Sequence, residues 1–255
     1  PFINDLDENE IAGMCYTSAT TGKPKGVVYS HRAIVLHCFA LGLADTTAIS
    51  EKDIALPVVP MFHVNAWGLP FAATWFGTTQ VMPGPQFTPQ IIAQLIQDEK
   101  VTITAGVPTI WMALLNELEK GNYNTSSLRG VLCGGSAAPK VIIEAFEKKY
   151  NIPFLHAYGM TETTPRVTIS TVKSYQDSDL TEGERFDLRA KQGLLVPGLE
   201  MKVVGASGEV EWNDTDMGEL LLRGPWIANE YYKDERTDEA FRDGWLHTGD
   251  VVTID

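Results

Sequence analysis

The sequence contains no apolar run of membrane-spanning length, no paired cysteine framework and no excess of basic residues, and each absence removes a class of function. A helix needs roughly 20 apolar residues to cross a bilayer, and no hydrophobic segment here approaches that. The opening Pro1-Phe2-Ile3-Asn4-Asp5 does not read as a signal peptide. Three cysteines, Cys15, Cys38 and Cys133, are odd in number, far apart and without metal-ligand spacing, so a reduced, cytoplasmic setting is expected. Acidic residues number 33 against 20 lysines and arginines, and the net charge of −13 argues against nucleic acid or an anionic membrane as the main partner.

What is present is an ordinary globular composition. The chain has 255 residues, 44% hydrophobic, enough for one large domain or two smaller ones with a sizeable core. Its charge is uneven. Between Ile11 and Ala44 there is no Asp or Glu, while Lys23, Lys25, Arg32, His31 and His37 all fall there. A positive zone inside an acidic chain suits an anion smaller than a polymer, although chance clustering on a solvated face would look the same.

Apolar β-type runs alternate with helical patterns over the first two-thirds. IAGMCYT, DIALPVV, TTQVMPG, VTITAG, RGVLCGG and IPFLHAYG read as strands. Helices are expected from Ser30 as a cap through HRAIVLHCFALGLA, across Trp67 to Phe76, after Thr88-Pro89, over Pro108 to Lys120 with Gly121 as the stop, and over PKVIIEAFEKKY. Such alternation implies an α/β fold with a mainly parallel β-sheet under covering helices. Residues 1–171 are read as an α/β core, and 172–190, charged and weakly periodic, as an exposed connection. Short glycine-punctuated strands follow, so 191–255 is read as a small β-rich, barrel-like subdomain. The chain opens just before one strand and stops inside another, at VVTID, which reads as a piece of something longer.

Four loops carry chemistry. In YTSATTGKPKG, the hydroxyls of Thr17, Ser18, Thr20 and Thr21, backbone N–H groups freed by Gly22 and Gly26, and the Lys25 ammonium would suit a polyphosphate. It is not the common G-x-x-x-x-G-K-[ST] loop: Thr17 stands where the first glycine belongs, and Pro24 follows Lys23. A flexible surface turn has the same composition. In HAYGMTETTP, Tyr158 offers a stacking face, Gly159 close approach, Thr161 a hydroxyl and Glu162 a hard oxygen for Mg2+, although a turn at a strand end with a solvated Glu has the same pattern. GGSAAP fails the G-x-S-x-G pattern at Ala138, which leaves a tight strand-to-helix turn, with room for a flat ligand or as plain turn chemistry. In HTGD, a tight turn would present Asp250 to both hydroxyls of a ribose, although a lone Thr-Gly-Asp is more often a plain β-turn. His63 and Trp67 in PMFHVNAW stand at i, i+4 and share a face if that segment is helical, a pattern that a core histidine and a core tryptophan also give.

Taken in order, YTSATTGKPKG, PMFHV, GGSAAP, YGMTET, GELLLRG and HTGD resemble the adenylate-forming (AMP-binding) family, which includes acyl-CoA synthetases, firefly luciferases and peptide-synthetase adenylation domains. Across VVYSHRAIVLH, LPVVPMFHVNAWGLPF and VTITAGVPTIWMALL the closer resemblance is to bacterial medium- and long-chain fatty acyl-CoA synthetases. It implies ATP, Mg2+ and coenzyme A as cofactor and co-substrates, a fatty acid as the acid, and a homodimer among the assemblies available.

By position, the resemblance implies that Thr17, Ser18, Ala19, Thr20, Thr21, Gly22 and Lys25 wrap the β- and γ-phosphates. Thr17 and Glu162 would assist the metal, Thr161 would face the α-phosphate, and Asp250 would hold the ribose. Tyr158 and Gly159 would meet adenine, with Gly135, Ser136 and Ala137 as the opposite wall. His63 would lie near the attacking carboxylate, Val64 and Trp67 would border the acyl tunnel, and Gly134, His156 and Ala157 would contact substrate. The chain departs from the pattern at two places: Ala19 where the family usually has glycine, and His156-Ala157 where close relatives often have Gln-Gly. Family members also carry an N-terminal portion and a mobile C-terminal domain, so this segment alone is expected to be weakly active at most. Other readings of the residues are an aryl or short-chain acid as substrate, a luciferase-like oxygenase, or a binding module without catalysis.

Overall fold

Continuous apolar runs, rather than alternating ones, build the centre of the protein. The computed structural model describes residues 5–18, 22–85 and 87–255. Among them, β1 (Ile11–Tyr16) and β2 (Gly26–Ser30) form an antiparallel hairpin of their own. A seven-stranded sheet is built from β3 (Ile54–Pro57), β4 (Thr79–Gln80), β5 (Ile103–Gly106), β6 (Gly130–Cys133), β7 (Phe154–Gly159), β8 (Arg166–Ile169) and β9 (Leu194–Leu195). Their order is β4-β3-β5-β6-β7-β8-β9, parallel as far as β7 and antiparallel beyond it. A five-stranded antiparallel sheet follows, from β10 (Glu200–Gly205), β11 (Gly208–Glu209), β12 (Gly218–Arg223), β13 (Phe241–Arg242) and β14 (Trp245–Val252), in the order β11-β10-β12-β14-β13.

The main sheet is covered on both faces, which is why β5 and β6 are buried at every position. Neighbouring residues separate onto opposite faces as strand geometry requires. Ala55, Ala105 and Leu132 pack with Cys38, Leu41, Leu69, Ala72 and Ala73 from the helices His31–Gly42 and Leu69–Phe76. Leu56, Val131 and Cys133 pack with Ile92, Ile96, Trp111, Leu114 and Phe146 from the other side. The sequence signals at helix ends are realised. Ser30 accepts a hydrogen bond from Ala33 N at 3.1 Å, Thr88 accepts one from Ile91 N at 3.3 Å, and the helix Pro108–Lys120 stops at Gly121. The last helical stretch of this layer changes winding, from α over Lys140–Glu144 to π over Ala145–Lys149.

Three local expectations are corrected. Trp67 does not begin a helix. Val64, Asn65, Ala66 and Trp67 have φ of 46°, 52°, 52° and 59°, a left-handed turn continued by Gly68 at 70°, and the right-handed helix starts at Leu69. This conformation is unfavourable for residues with a Cβ, above all for β-branched Val64. It persists because Val64, Ala66 and Trp67 are all buried in the core. HTGD is not an isolated turn but a bulge inside β14: Glu219 pairs with Val251 and Leu221 with His247, so Leu220 faces Thr248, Gly249 and Asp250 together. The charged stretch after residue 172 contains the helix Glu182–Ala190, capped reciprocally by Thr181 and Glu184. Its Phe186 is buried in the core, and its Arg189 pairs with Glu147 at 2.7 Å.

Candidate active site

A cavity of about 440 Å3 opens at the carboxyl ends of β6 and β7, the edge where open parallel sheets place ligands. Residues from the β1–β2 hairpin, from the left-handed turn, from both strand ends and from the bulge in β14 line it jointly.

At one end stand the hairpin residues. Thr17 N–H donates to Lys25 O at 2.9 Å, and Lys25 N–H donates to Thr17 Oγ1 at 3.1 Å, so these two residues close the base of the loop. Gly22 has φ of 90°, in the region glycine favours. The Lys25 ammonium lies 3.7 Å from Glu162 Oε1, and the Tyr231 hydroxyl sits between them, 2.8 Å from the ammonium and 2.6 Å from the carboxylate. Glu162 is buried, and its backbone is held from two sides: Tyr29 Oη–H donates to Thr161 O and Ala228 N–H donates to Glu162 O, each at 2.8 Å. Burial and the Glu162 carboxylate push the Tyr231 phenol well above its ordinary pKa, so it stays a donor.

No group of three or more His, Cys, Asp or Glu that could hold a metal ion occurs among the described residues. Magnesium does not require one, because it is held by one or two carboxylates together with substrate phosphates and water. Glu162 fits that role: Oε1 is engaged by Tyr231 and Lys25, and Oε2 has no hydrogen-bond partner among the described residues.

At the other end the Tyr158 hydroxyl donates to Asp250 Oδ2 at 2.5 Å. Burial first, then the adjacent Asp250 carboxylate, hold the Tyr158 phenol protonated. Asp250 is aimed by the bulge: its N–H donates to Thr248 Oγ1 at 3.1 Å, and that hydroxyl donates to Leu220 O at 2.7 Å. Gly134 and Gly135 form part of the wall, and a Cβ at Gly134 would stand 3.1 Å from Ala157 O and 3.4 Å from the Trp67 ring. The third side holds His63, Val64 and Trp67 with Leu132 and Arg166. Arg166 is buried, its guanidinium hydrogen-bonded to Thr47 Oγ1, and burial lowers its pKa to about 10, which leaves it charged at neutral pH.

Thr17, Ser18, Lys25, His63, Val64, Trp67, Gly134, Gly135, Ala157, Tyr158, Gly159, Thr161, Glu162 and Asp250 are thus brought to one cavity. Ser136 and Ala137 follow Gly135 but do not line it, and neither does Gly22. The His156 ring is buried beneath, where its Nδ1 lies 3.0 Å from Lys191 O and its Nε2 accepts from Ala138 N–H at 3.4 Å. Ala19, Thr20 and Thr21 lie outside the described residues. Tyr231, Arg166, Thr248 and Tyr29 were not singled out from the sequence. Each acts through a partner distant along the chain, and only the run of glycines and hydroxyls, not a partner's partner, is visible as a motif.

Comparison with known proteins agrees with this architecture. The model of the AMP-binding enzyme family matches residues 2–232. The long-chain-fatty-acid–CoA ligase of Thermus thermophilus is 48% identical over 98% of this chain and 46% of its own length. The medium-chain-fatty-acid–CoA ligase of Ectopseudomonas oleovorans is 42% identical with the same coverage. The o-succinylbenzoate coenzyme A synthetase of Bacillus subtilis, solved in complex with ATP and magnesium ion, superposes with a TM-score of 0.80 at 27% identity, over 96% of this chain and 48% of that one. The chain spans about half the length of the curated relatives it matches. Among the described residues, no helix is long and apolar enough to cross a membrane.

Proposed function

This chain belongs to the AMP-binding enzyme family, and from that premise we propose that it carries the nucleotide- and acid-binding site of an ATP-dependent ligase that activates a medium- or long-chain fatty acid and transfers it to coenzyme A. The observation that carries this reading is the single cavity shared by Lys25, Glu162, Tyr158, Asp250, His63 and Trp67. It combines a cation and a carboxylate at one end, an aromatic with a carboxylate at another, and on the third side the apolar Val64, Trp67 and Leu132 beside His63 and Arg166.

In the first half-reaction a carboxylate oxygen of the acid attacks the α-phosphorus of ATP, the bond to the bridging oxygen breaks, and pyrophosphate leaves. The residues then have distinct tasks. Lys25, with Thr17 and Ser18, neutralises the leaving pyrophosphate, and Glu162 would hold magnesium, which supplies positive charge to the phosphate oxygens. Tyr158 offers its face to adenine and Asp250 accepts from the ribose, so the α-phosphate falls near Thr161. His63 and Trp67 orient the acid, and Val64 with Trp67 shapes the entrance to its chain. In the second half-reaction the thiol of coenzyme A attacks the acyl carbonyl, gives up its proton, and AMP leaves. The names and identities of the two fatty-acid ligase relatives support the acid class. Three free, buried cysteines support a reducing, cytoplasmic setting.

The test is acid-dependent exchange of pyrophosphate into ATP by the intact natural protein, with acetate, benzoate, octanoate and palmitate. Exchange driven by octanoate or palmitate is expected. Exchange driven only by acetate or benzoate contradicts the fatty-acid assignment.

A further inference from the structure

Tyr231 lies 206 residues from Lys25 along the chain, in the excursion between β12 and β13, yet it sits at the centre of the charged end of the cavity. Its hydroxyl accepts from the Lys25 ammonium and donates to Glu162 Oε1 at once, a double role open to a phenol but not to a second lysine or carboxylate. The ammonium also rests over the ring, 4.3 Å from its centre.

The placement is firmly built. Tyr231 N–H donates to Thr237 Oγ1 at 3.0 Å, Tyr232 N–H donates to Gly26 O at 2.7 Å, and Tyr231 forms an isolated bridge with Val27 of β2. Its ring packs edge-on against Phe241 with centres 5.1 Å apart. Two residues before Asp238, Arg236 reaches the loop itself and donates to Lys23 O at 2.9 Å. The excursion therefore grips the hairpin twice, at the start of β2 and at Lys23 in the loop, with the phenol between the Lys25 cation and the facing carboxylate.

Without the hydroxyl, Lys25 and Glu162 would be left to pair directly, and a cation seeking Glu162 would have to displace the ammonium. With it, the neutral phenol anchors Oε1 and leaves Oε2 available, while the ammonium has a partner that it can exchange for a phosphate oxygen. We propose that Tyr231 is a positioning residue for the metal–triphosphate end of the site, keeping Glu162 ready for magnesium and Lys25 ready for the β- and γ-phosphates. This rests on the reading of the cavity as a nucleotide site, and it assigns a task to a residue outside the loops that define that reading.

The experiment is calorimetric titration of the intact protein and its Tyr231→Phe variant with AMP, with ATP in the presence of a chelator, and with magnesium–ATP. Phenylalanine keeps the ring, the packing on Phe241 and the surface under the ammonium, and removes only the hydroxyl. The expected result is a loss of about tenfold or more in affinity for magnesium–ATP, with AMP affinity unchanged because AMP lacks the phosphates concerned. In a Glu162→Gln background the same substitution is expected to cost clearly less, since the two groups act together. The ratio of affinities with and without magnesium is read within one protein sample, so a partly unfolded variant does not obscure it. Equal losses for AMP and magnesium–ATP would show a packing role only and overturn the proposal, as would no loss of either. A wild-type protein that binds neither ligand overturns the nucleotide-site reading itself, and is distinguishable from a Tyr231 effect because it precedes any substitution.

Discussion

Tyr158 and Asp250, 92 residues apart and on two different sheets, meet at a hydrogen bond of 2.5 Å. That bond ties β7 of the main sheet to the bulge in β14 of the second, so the face proposed for adenine and the carboxylate proposed for ribose are set by one contact. The antiparallel sheet is thereby part of the site's wall and not an appendage to it.

Asp250→Ala removes both the acceptor proposed for the ribose and the partner of the Tyr158 phenol. AMP affinity, measured by calorimetry, is expected to fall by about 10- to 100-fold, the range for lost hydrogen bonds to a charged group. Tyr158→Phe keeps the stacking face and is expected to lose less. A larger loss from Tyr158→Phe than from Asp250→Ala would contradict the assignment.

Lys25→Ala removes the positive charge nearest Glu162. If Lys25 neutralises the leaving pyrophosphate, the rate of acid-dependent pyrophosphate exchange is expected to fall by about 10²- to 10³-fold, while AMP binding is little changed. An exchange rate near that of the wild type sinks the role given to Lys25.

Gly159 ends β7 opposite Arg166, and a Cβ built there would stand 1.9 Å from Pro165 O. That neighbour is backbone and has no easy way to retreat. Gly159→Ala is expected to cost about 3 kcal/mol or more, lowering the melting temperature by roughly 6–12 °C in a domain of this size. A melting curve superimposable on the wild type would show that the strand end yields more readily than its packing indicates.

His37 provides a pH dependence. It is buried, its Nε2 accepts from Arg166 N–H at 3.4 Å, and burial, followed by the Arg166 charge, lowers its pKa to about 3. The unfolded chain titrates near the ordinary histidine value of about 6.5. Between these values the unfolded state binds a proton that the folded state does not, so stability falls as pH drops from about 6.5 towards 3, with a slope of about 1.4 kcal/mol per pH unit from this group. Urea unfolding at stepped pH should show a slope that includes this contribution, together with that of His156, whose pKa burial also lowers, and a reduced slope in His37→Gln. An unchanged slope in the variant assigns the acid sensitivity to other groups.

Much of the fold was legible because it depends on near neighbours in sequence. Ser30, Thr88 and Gly121 mark helix ends by their own side chains or lack of one, and β5 and β6 show as unbroken apolar runs. The turn at Val64 to Trp67 was not legible, since its apolar spacing also fits a helix and only burial of Val64, Ala66 and Trp67 selects the left-handed path. The helix Glu182–Ala190 was signalled by Thr181 and Glu184, a capping box hidden within a charged stretch. Within the site, Lys25, Glu162, Tyr158 and Asp250 stand out as chemistry in loops. Tyr231 and Arg166 do not, because their importance lies in partners far along the chain.

The most direct measurement is a crystal structure of the intact protein with magnesium–ATP. The account predicts adenine against Tyr158, ribose hydroxyls on Asp250, and the β- and γ-phosphates between Lys25 and a magnesium ion held by Glu162. A nucleotide bound away from this cavity, or one lying in it with its phosphates remote from Lys25 and Glu162, would contradict it.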